Sequence, residues 1–438
     1  MNLNKKTAVV PKELIVPFIL ITSLFALWGF ANDITNPMVS AFKKVLELNN
    51  TQASWVQAAF YGGYFTMALP AAYVVKRYTY KTGILVGLGL YALGAMLFIP
   101  AASYENYAFF LAALYILTFG LAFLETTSNP FILSMGDEAT ATQRLNLAQA
   151  FNPMGALMGL FVAQTFILGS LQSDDLDAQG NGIYESLSAS AKAAVKTADL
   201  ELIRNPYVTL GVFVFVLMLS IAFVKMPKET KAVGDSSMWT SIKRIYKKEH
   251  FVGGVIAQLF YVGAQIMCWT YIYQYAENLG INNQKAVNYA YGALAIFLIG
   301  RFLCAYLLKF FRSATLLMTL GILAACCCLG TIFIEGMGGL YALVLTSFCM
   351  SLMFPTIYGI ALNGLGEDAK PASAFLVMAI VGGAFMPIFQ GMILDIGGQG
   401  YNDVKLLGVS EVNFSFILPL VCFLVVARYG YRSLKMQN

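Results

Sequence analysis

Long apolar stretches recur along this chain, each cut off by a cluster of charged or Gly, Pro and Asn residues. They fall near residues 15–38, 54–75, 82–101, 107–135, 145–169 and 207–224. After a polar gap they resume near 251–276, 287–308, 314–334, 338–362, 372–394 and 412–428. Each is long enough for a helix to cross a bilayer core, which takes about 20 apolar residues. The alternation of barrel strands is missing, and in lipid only helices and closed barrels satisfy their own backbone polar groups. The pattern predicts an all-α membrane protein of twelve spans in two sets of six, residues 1–224 and 251–438, joined by a basic connector over 225–250.

Composition agrees with the pattern. Of 438 residues, 58% are hydrophobic and 12% charged, about half the charge of an ordinary soluble domain. Disordered, collagen-like, nucleic-acid-binding and small disulfide-stapled proteins are excluded. Lys5, Lys6 and Lys12 precede the first apolar run, but Asn32-Asp33 and Pro37 follow it where a signal peptide would have a small-residue cleavage site. The run is therefore read as the first span. With both termini cytoplasmic, inside segments hold 20 of the 28 Lys and Arg, outside segments hold 7, and Arg301 lies within a span. That asymmetry sets the expected topology in a cytoplasmic (inner) membrane. The net charge of +5 is then a topology signal and implies no charged partner. All seven cysteines fall within spans and read as small buried residues. The outside loop over 170–206 is acidic, and its 184–203 section reads as a short surface helix.

The two sets of six echo each other. Val75-Lys76-Arg77-Tyr78 follows the second span, as Leu308-Lys309-Phe310-Phe311-Arg312 follows the eighth. Asn129-Pro130-Phe131-Ile132 in the fourth corresponds to Phe354-Pro355-Thr356-Ile357 in the tenth. Corresponding features in two halves point to a duplicated transporter with its site between the repeats, near the midplane.

Against this apolar background a few charges stand alone. Of 23 acidic residues, 21 sit in loops or near helix ends; Asp33 and Glu125 do not. Charges inside spans are costly, so a functional role is the default reading, here the taking up and release of a proton. The bland alternatives are an acid at a wet helix end or a structural pair. Arg301, in Gly300-Arg301-Phe302, reads as structural or gating. His250, beside Lys247-Lys248-Glu249, reads as interfacial.

Polar residues also line up one turn apart, which places them on one helix face. Trp28, Asn32 and Asn36 do so in the first span, and Glu125, Ser128 and Asn129 in the fourth. Asn146, Gln149 and Asn152 follow in the fifth, then Gln258, Tyr261, Gln265 and Trp269 in the seventh. Amides offer donors and acceptors together, as sugar hydroxyls require, and Trp28, Trp269, Tyr261 and Phe297 offer flat apolar faces. The alternative for any one stripe is polar glue between helices. With one His and no phosphate-binding loop, no enzyme motif is present and no metal site or cofactor is expected.

Taken in order, Ala31-Asn32-Asp33-Ile34-Thr35-Asn36-Pro37, Leu124-Glu125-Thr126-Thr127-Ser128-Asn129-Pro130-Phe131, Arg144-Leu145-Asn146-Leu147-Ala148-Gln149, Tyr261-Val262-Gly263-Ala264-Gln265 and Gly300-Arg301-Phe302 resemble the fucose/proton symporter family of the major facilitator superfamily. That family includes glucose/galactose permeases, and the resemblance spans essentially the whole chain. It implies two pseudo-symmetric six-helix bundles, alternating access, a central sugar cavity, and proton coupling through acids in the first and fourth spans. Glu125 matches the fourth-span acid; Gln149 and Asn152 match cavity positions in the fifth, and Phe297 a cavity aromatic in the eighth. Phe354 stands where the fucose symporter has a cavity Tyr, and the setting of Asp33 is similar to the glucose/galactose branch.

The expectation is a monomeric, cation-coupled importer of a monosaccharide such as L-fucose, galactose or glucose, with H⁺ as the coupling ion and Na⁺ as the alternative. Sugar would bind on Asn32, Asn36, Gln149, Asn152, Tyr261, Gln265, Trp269, Phe297 and Phe354, with Glu125 and Asp33 coupling. The rivals are a same-fold carrier of a drug or an N-acetylated sugar, and a non-transporting membrane sugar sensor.

Overall fold

The computed structural model describes residues 8–35, 38–48, 50–167, 170–174, 183–224, 226, 238–281, 283–394, 396 and 404–436. Twelve helical spans occur among them: Lys12–Thr35, Ala58–Arg77, Tyr80–Ser103, Tyr107–Ser134, Glu138–Ile167, Ala189–Phe223, Glu249–Asn278, Lys285–Leu307, Ser313–Phe333, Met337–Leu362, Gly366–Leu394 and Glu411–Met436. Each overlaps one predicted apolar stretch. The two-stranded pairing of Lys405–Leu406 with Val409–Ser410 is the sheet seen among the described residues.

Breaks within spans follow local chemistry. The fifth is interrupted between Ala141–Gln149 and Asn152–Val162, just before Pro153, and the tenth between Met337–Met350 and Met353–Leu362, just before Pro355. Proline lacks an N–H and fits the first turn of a new helix. The loop section expected as a short surface helix differs. Ala189–Phe223 is one 35-residue helix that runs on into the sixth span, started by the Ser188 hydroxyl accepting from Ala191 N. Its Ala-rich beginning, with Leu and Lys, has high helix propensity and holds no breaker before Pro206.

Contacts group the chain into two compact units. One comprises Ile19–Ser128 and Met154–Lys228. Here Gly155 and Gly159, one turn apart, face the backbone of Ala26 and Phe30, where any Cβ would overlap a carbonyl oxygen. Gly94 and Gly120 similarly admit the backbones of Leu117 and Tyr91. Small residues let membrane helices approach this closely. Asp199, grouped by its sequence with the loop acids, is fully buried and accepts from Gln172 N and Ser173 N at 2.9 and 3.0 Å.

The other unit comprises Met1–Phe18, Asn129–Pro153 and Glu229–Asn438. Its apolar core draws on the seventh to twelfth spans, through residues such as Met267, Leu317, Ile357, Leu394 and Phe423. Cys268, Cys304, Cys328, Cys349 and Cys422 are buried there, whereas Cys326 is exposed. Arg144, the basic residue between the fourth and fifth apolar stretches, is buried, and it closes the end of the fourth span. Its guanidinium donates to Ile132 O at 2.8 Å and Leu133 O at 2.6 Å, and also to Val9 O at 3.0 Å. A helix C-terminus has carbonyls without intrahelical partners, and a cation there also complements the helix dipole. Glu411 is likewise buried at the start of the last span; its carboxyl oxygens have no partner among the described residues.

Candidate functional site

The sequence-derived candidates fall into both units. In the Ile19–Ser128 part of the first unit, the first-span stripe and the fourth-span acid meet. Glu125 is 3% exposed and Trp28 4%. The Trp28 indole N–H is placed to donate to the Glu125 carboxyl, and its ring stacks on Phe25 at 4.9 Å between centroids. Tyr64, from the second span, is buried within electrostatic reach of Glu125. Its hydroxyl lies within reach of the same Trp28 indole N–H. One turn earlier, Tyr61 lies within electrostatic reach of Asp33. Asp33 and Asn32 are half-buried, and the Asn32 Oδ1 is buried without a partner among the described residues. Asn36 lies outside the described residues.

Tyr61 and Tyr64 were absent from the sequence-derived set. Their spacing of three, on the second span, was the available signal; aromatic residues are common enough in spans that spacing alone did not single them out.

In the other unit, the polar candidates converge on Arg301. Its Nη1 donates to Gln149 Oε1 at 3.3 Å, and Gln149 Nε2 donates to Asn129 Oδ1 at 2.8 Å. The guanidinium lies over the Phe297 ring at 4.8 Å. Phe297 meets Trp269 edge-on at 5.1 Å, and the Trp269 Nε1 donates to Ser347 Oγ at 3.1 Å. Tyr261 interacts electrostatically with Arg301, donates to Met350 O at 3.1 Å and meets Phe354 at 6.3 Å. The structure thus joins Gln149, Trp269, Phe297, Tyr261 and Phe354 around one cation. Asn152 and Gln265 are half-buried on the fifth and seventh spans.

Beside this cluster, the Ala141–Gln149 helix is tied to the eighth and tenth spans. Gln143 Nε2 donates to Ala305 O at 3.2 Å, and Asn146 Nδ2 to Thr356 Oγ1 at 3.1 Å. Thr142 packs against Gly359, where a Cβ would come within 2.8 Å of the threonine hydroxyl. Asn146, a member of the fifth-span polar stripe, is occupied by this tie, the helix-to-helix role that was the alternative for any such stripe. Gln258, of the seventh-span stripe, is fully buried, with neither end of its amide partnered among the described residues. His250 Nε2 lies 3.2 Å from Asn363 O.

Twelve apolar helices carrying buried carboxyl, amide and guanidinium groups define a polytopic membrane protein of the transporter type. Residues 20–388 match the model of the Major Facilitator Superfamily, and the chain belongs to that family. It is 54% identical to the L-fucose-proton symporter of Haemophilus influenzae over 98% of this chain and 99% of that protein. It is 31% identical to the glucose/galactose transporter of Brucella abortus, over 94% and 92% of the two chains. A crystal structure of the transporter FucP in the outward conformation superposes with a TM-score of 0.86 at 34% identity, covering 96% of this chain and 99% of that one. The fold is accordingly the twelve-helix major facilitator fold, and the relatives are transporters, not enzymes.

Proposed function

We propose that this protein is a proton-coupled monosaccharide importer working by alternating access. The observation that carries the reading is Glu125, 3% exposed in the fourth span and facing the Trp28 indole. A carboxyl in such a place can gain and lose a proton as access changes, and intramembrane acids mark such relays. Asp33, near Tyr61, links carboxylate charge to sugar occupancy in the same reading. Sugar recognition falls to Asn32, Asn36, Gln149, Asn152 and Gln265, with Trp269, Tyr261, Phe297 and Phe354 supplying the apolar faces. Amides beside aromatics suit a neutral polyhydroxylated ligand. The names of the relatives support the substrate class: L-fucose-proton symporter for one, glucose/galactose transporter for another.

The same reading places both termini in the cytoplasm of an inner membrane, by the 20-to-7 bias of basic residues. It also takes residues 1–224 and 251–438 as the two six-span halves and the monomer as the working unit. The test is uptake of labelled L-fucose, galactose, glucose and N-acetylglucosamine into proteoliposomes under separate pH and Na⁺ gradients. An inward proton gradient should drive accumulation of at least one hexose. Accumulation that follows only Na⁺, or no sugar uptake under either gradient, would overturn it.

A further inference from the structure

Arg301 is a buried cation with too few partners. It is 3% exposed, and one side-chain hydrogen bond is found, to Gln149 Oε1 at 3.3 Å, the long end of the range. Its Nε has no partner, and no carboxylate lies within ion-pair distance among the described residues. The Phe297 ring beneath it at 4.8 Å offsets part of the charge. A guanidinium has five N–H donors in a fixed fork, so most of this one is unused in a place where unmet donors are costly.

What would satisfy it can be read from its neighbours. Phe297 and Trp269 meet at 79°, presenting an apolar wall next to the guanidinium, and Trp269 is itself held by Ser347. A fork of donors beside aromatic rings is the chemistry that binds adjacent hydroxyls on a ring with an apolar face. The bond that now occupies the guanidinium is the weak one. Gln149 is held more tightly at its other end, by Asn129 at 2.8 Å.

We propose that Arg301 is itself a sugar-binding residue: hydroxyl oxygens of the bound sugar take its Nε and terminal nitrogens, displacing Gln149, whose amide then also faces the sugar. The proposal rests on the sugar-transport reading above and adds to it a charged contact where the sequence pattern indicated only a structural or gating residue. Gln149 becomes an exchange partner, bonded to Arg301 without sugar and to sugar when it is present.

The experiment is a double-mutant cycle on the purified full chain, with sugar binding followed by calorimetry and tryptophan fluorescence. Wild type, R301Q, Q149A and the double variant are titrated with L-fucose, galactose and glucose, and with monodeoxy analogues of whichever binds. R301Q should weaken binding about tenfold or more, and should do so again in the Q149A background. One deoxy analogue that binds wild type about tenfold less well than its parent should show no such difference in R301Q, because a site built for a hydroxyl penalises its loss. If R301Q has no effect once Gln149 is gone, Arg301 acts only by positioning Gln149 and the proposal fails. Should R301Q not fold, as judged by thermal unfolding, R301K carries the same comparison. It should lose part of the affinity and keep the deoxy signature in weaker form, and wild-type affinity for every analogue would overturn the proposal. Failure of the sugar reading itself looks different: wild type would bind none of the three sugars saturably.

Discussion

Asn146 donates its Nδ2 to the Thr356 hydroxyl at 3.1 Å, joining residues 210 positions apart in the chain. The same nitrogen donates to Thr142 O at 2.9 Å. Removing the hydroxyl with T356V deletes one bond and leaves Asn146 its backbone partner, so the cost should be about 1 kcal/mol. N146A deletes both bonds and strands the Thr356 hydroxyl, and should cost more. Thermal unfolding of the purified variants checks the order; a T356V protein as stable as wild type would show that the bond has no net weight.

For Glu125, the informative change is E125Q. Glutamine keeps the shape and an oxygen acceptor for the Trp28 indole, so the fold should be unaffected. It cannot exchange a proton. Uphill sugar uptake should therefore be lost, whereas exchange of labelled sugar across the proteoliposome membrane should persist. Concentrative uptake by E125Q would remove Glu125 from the coupling mechanism.

Arg144 should behave as a structural pin. Its guanidinium holds Ile132 O, Leu133 O and Val9 O, and reaches Thr140 Oγ1 at 3.1 Å. R144A strands several carbonyls at once and should cost on the order of 3 kcal/mol. R144K should recover only part, since an ammonium is a compact donor without the fork. Membrane expression and thermal stability are the measurements, and equal stability of R144A and wild type would refute the pin.

Outside the spans, Glu105 gives the stability a pH dependence. The Thr197 hydroxyl first, and then Lys196 at 3.2 Å, hold its carboxyl below the ordinary range. A depressed folded value means that the contribution is present above the unfolded value and is lost as pH falls through the folded one. The loss should therefore appear on the acid side of 4.5, the ordinary value for glutamate. E105Q should lower thermal stability at neutral pH, leave it little changed below about pH 3, and so flatten the acid limb between about pH 3 and pH 5. An unchanged acid limb in E105Q would show that Glu105 does not contribute to it.

Which features could be read before any coordinates follows from the range of the forces involved. Each apolar stretch is a local record, because a helix in lipid satisfies its own hydrogen bonds and needs no distant partner to exist. The isolation of Glu125 was equally local: residues 107–124 contain no charge. Trp28 could be placed on the same face as Asn32 from spacing alone, but its pairing with Glu125 needed two helices to come together.

The amino-acid sequence by itself determined the twelve helices, their membrane setting and the short set of polar groups able to do chemistry, since these depend on composition over a few turns. Only the tertiary structure decided what those groups do to one another. It made Arg144 a buried cap and Asn146, one member of the fifth-span polar stripe, a tie to Thr356. It also set Gln149 against Arg301, 152 residues away. Such partnerships are fixed by packing between distant helices, where the cost of an unmet buried donor or acceptor selects the partner. No spacing along one helix records that choice.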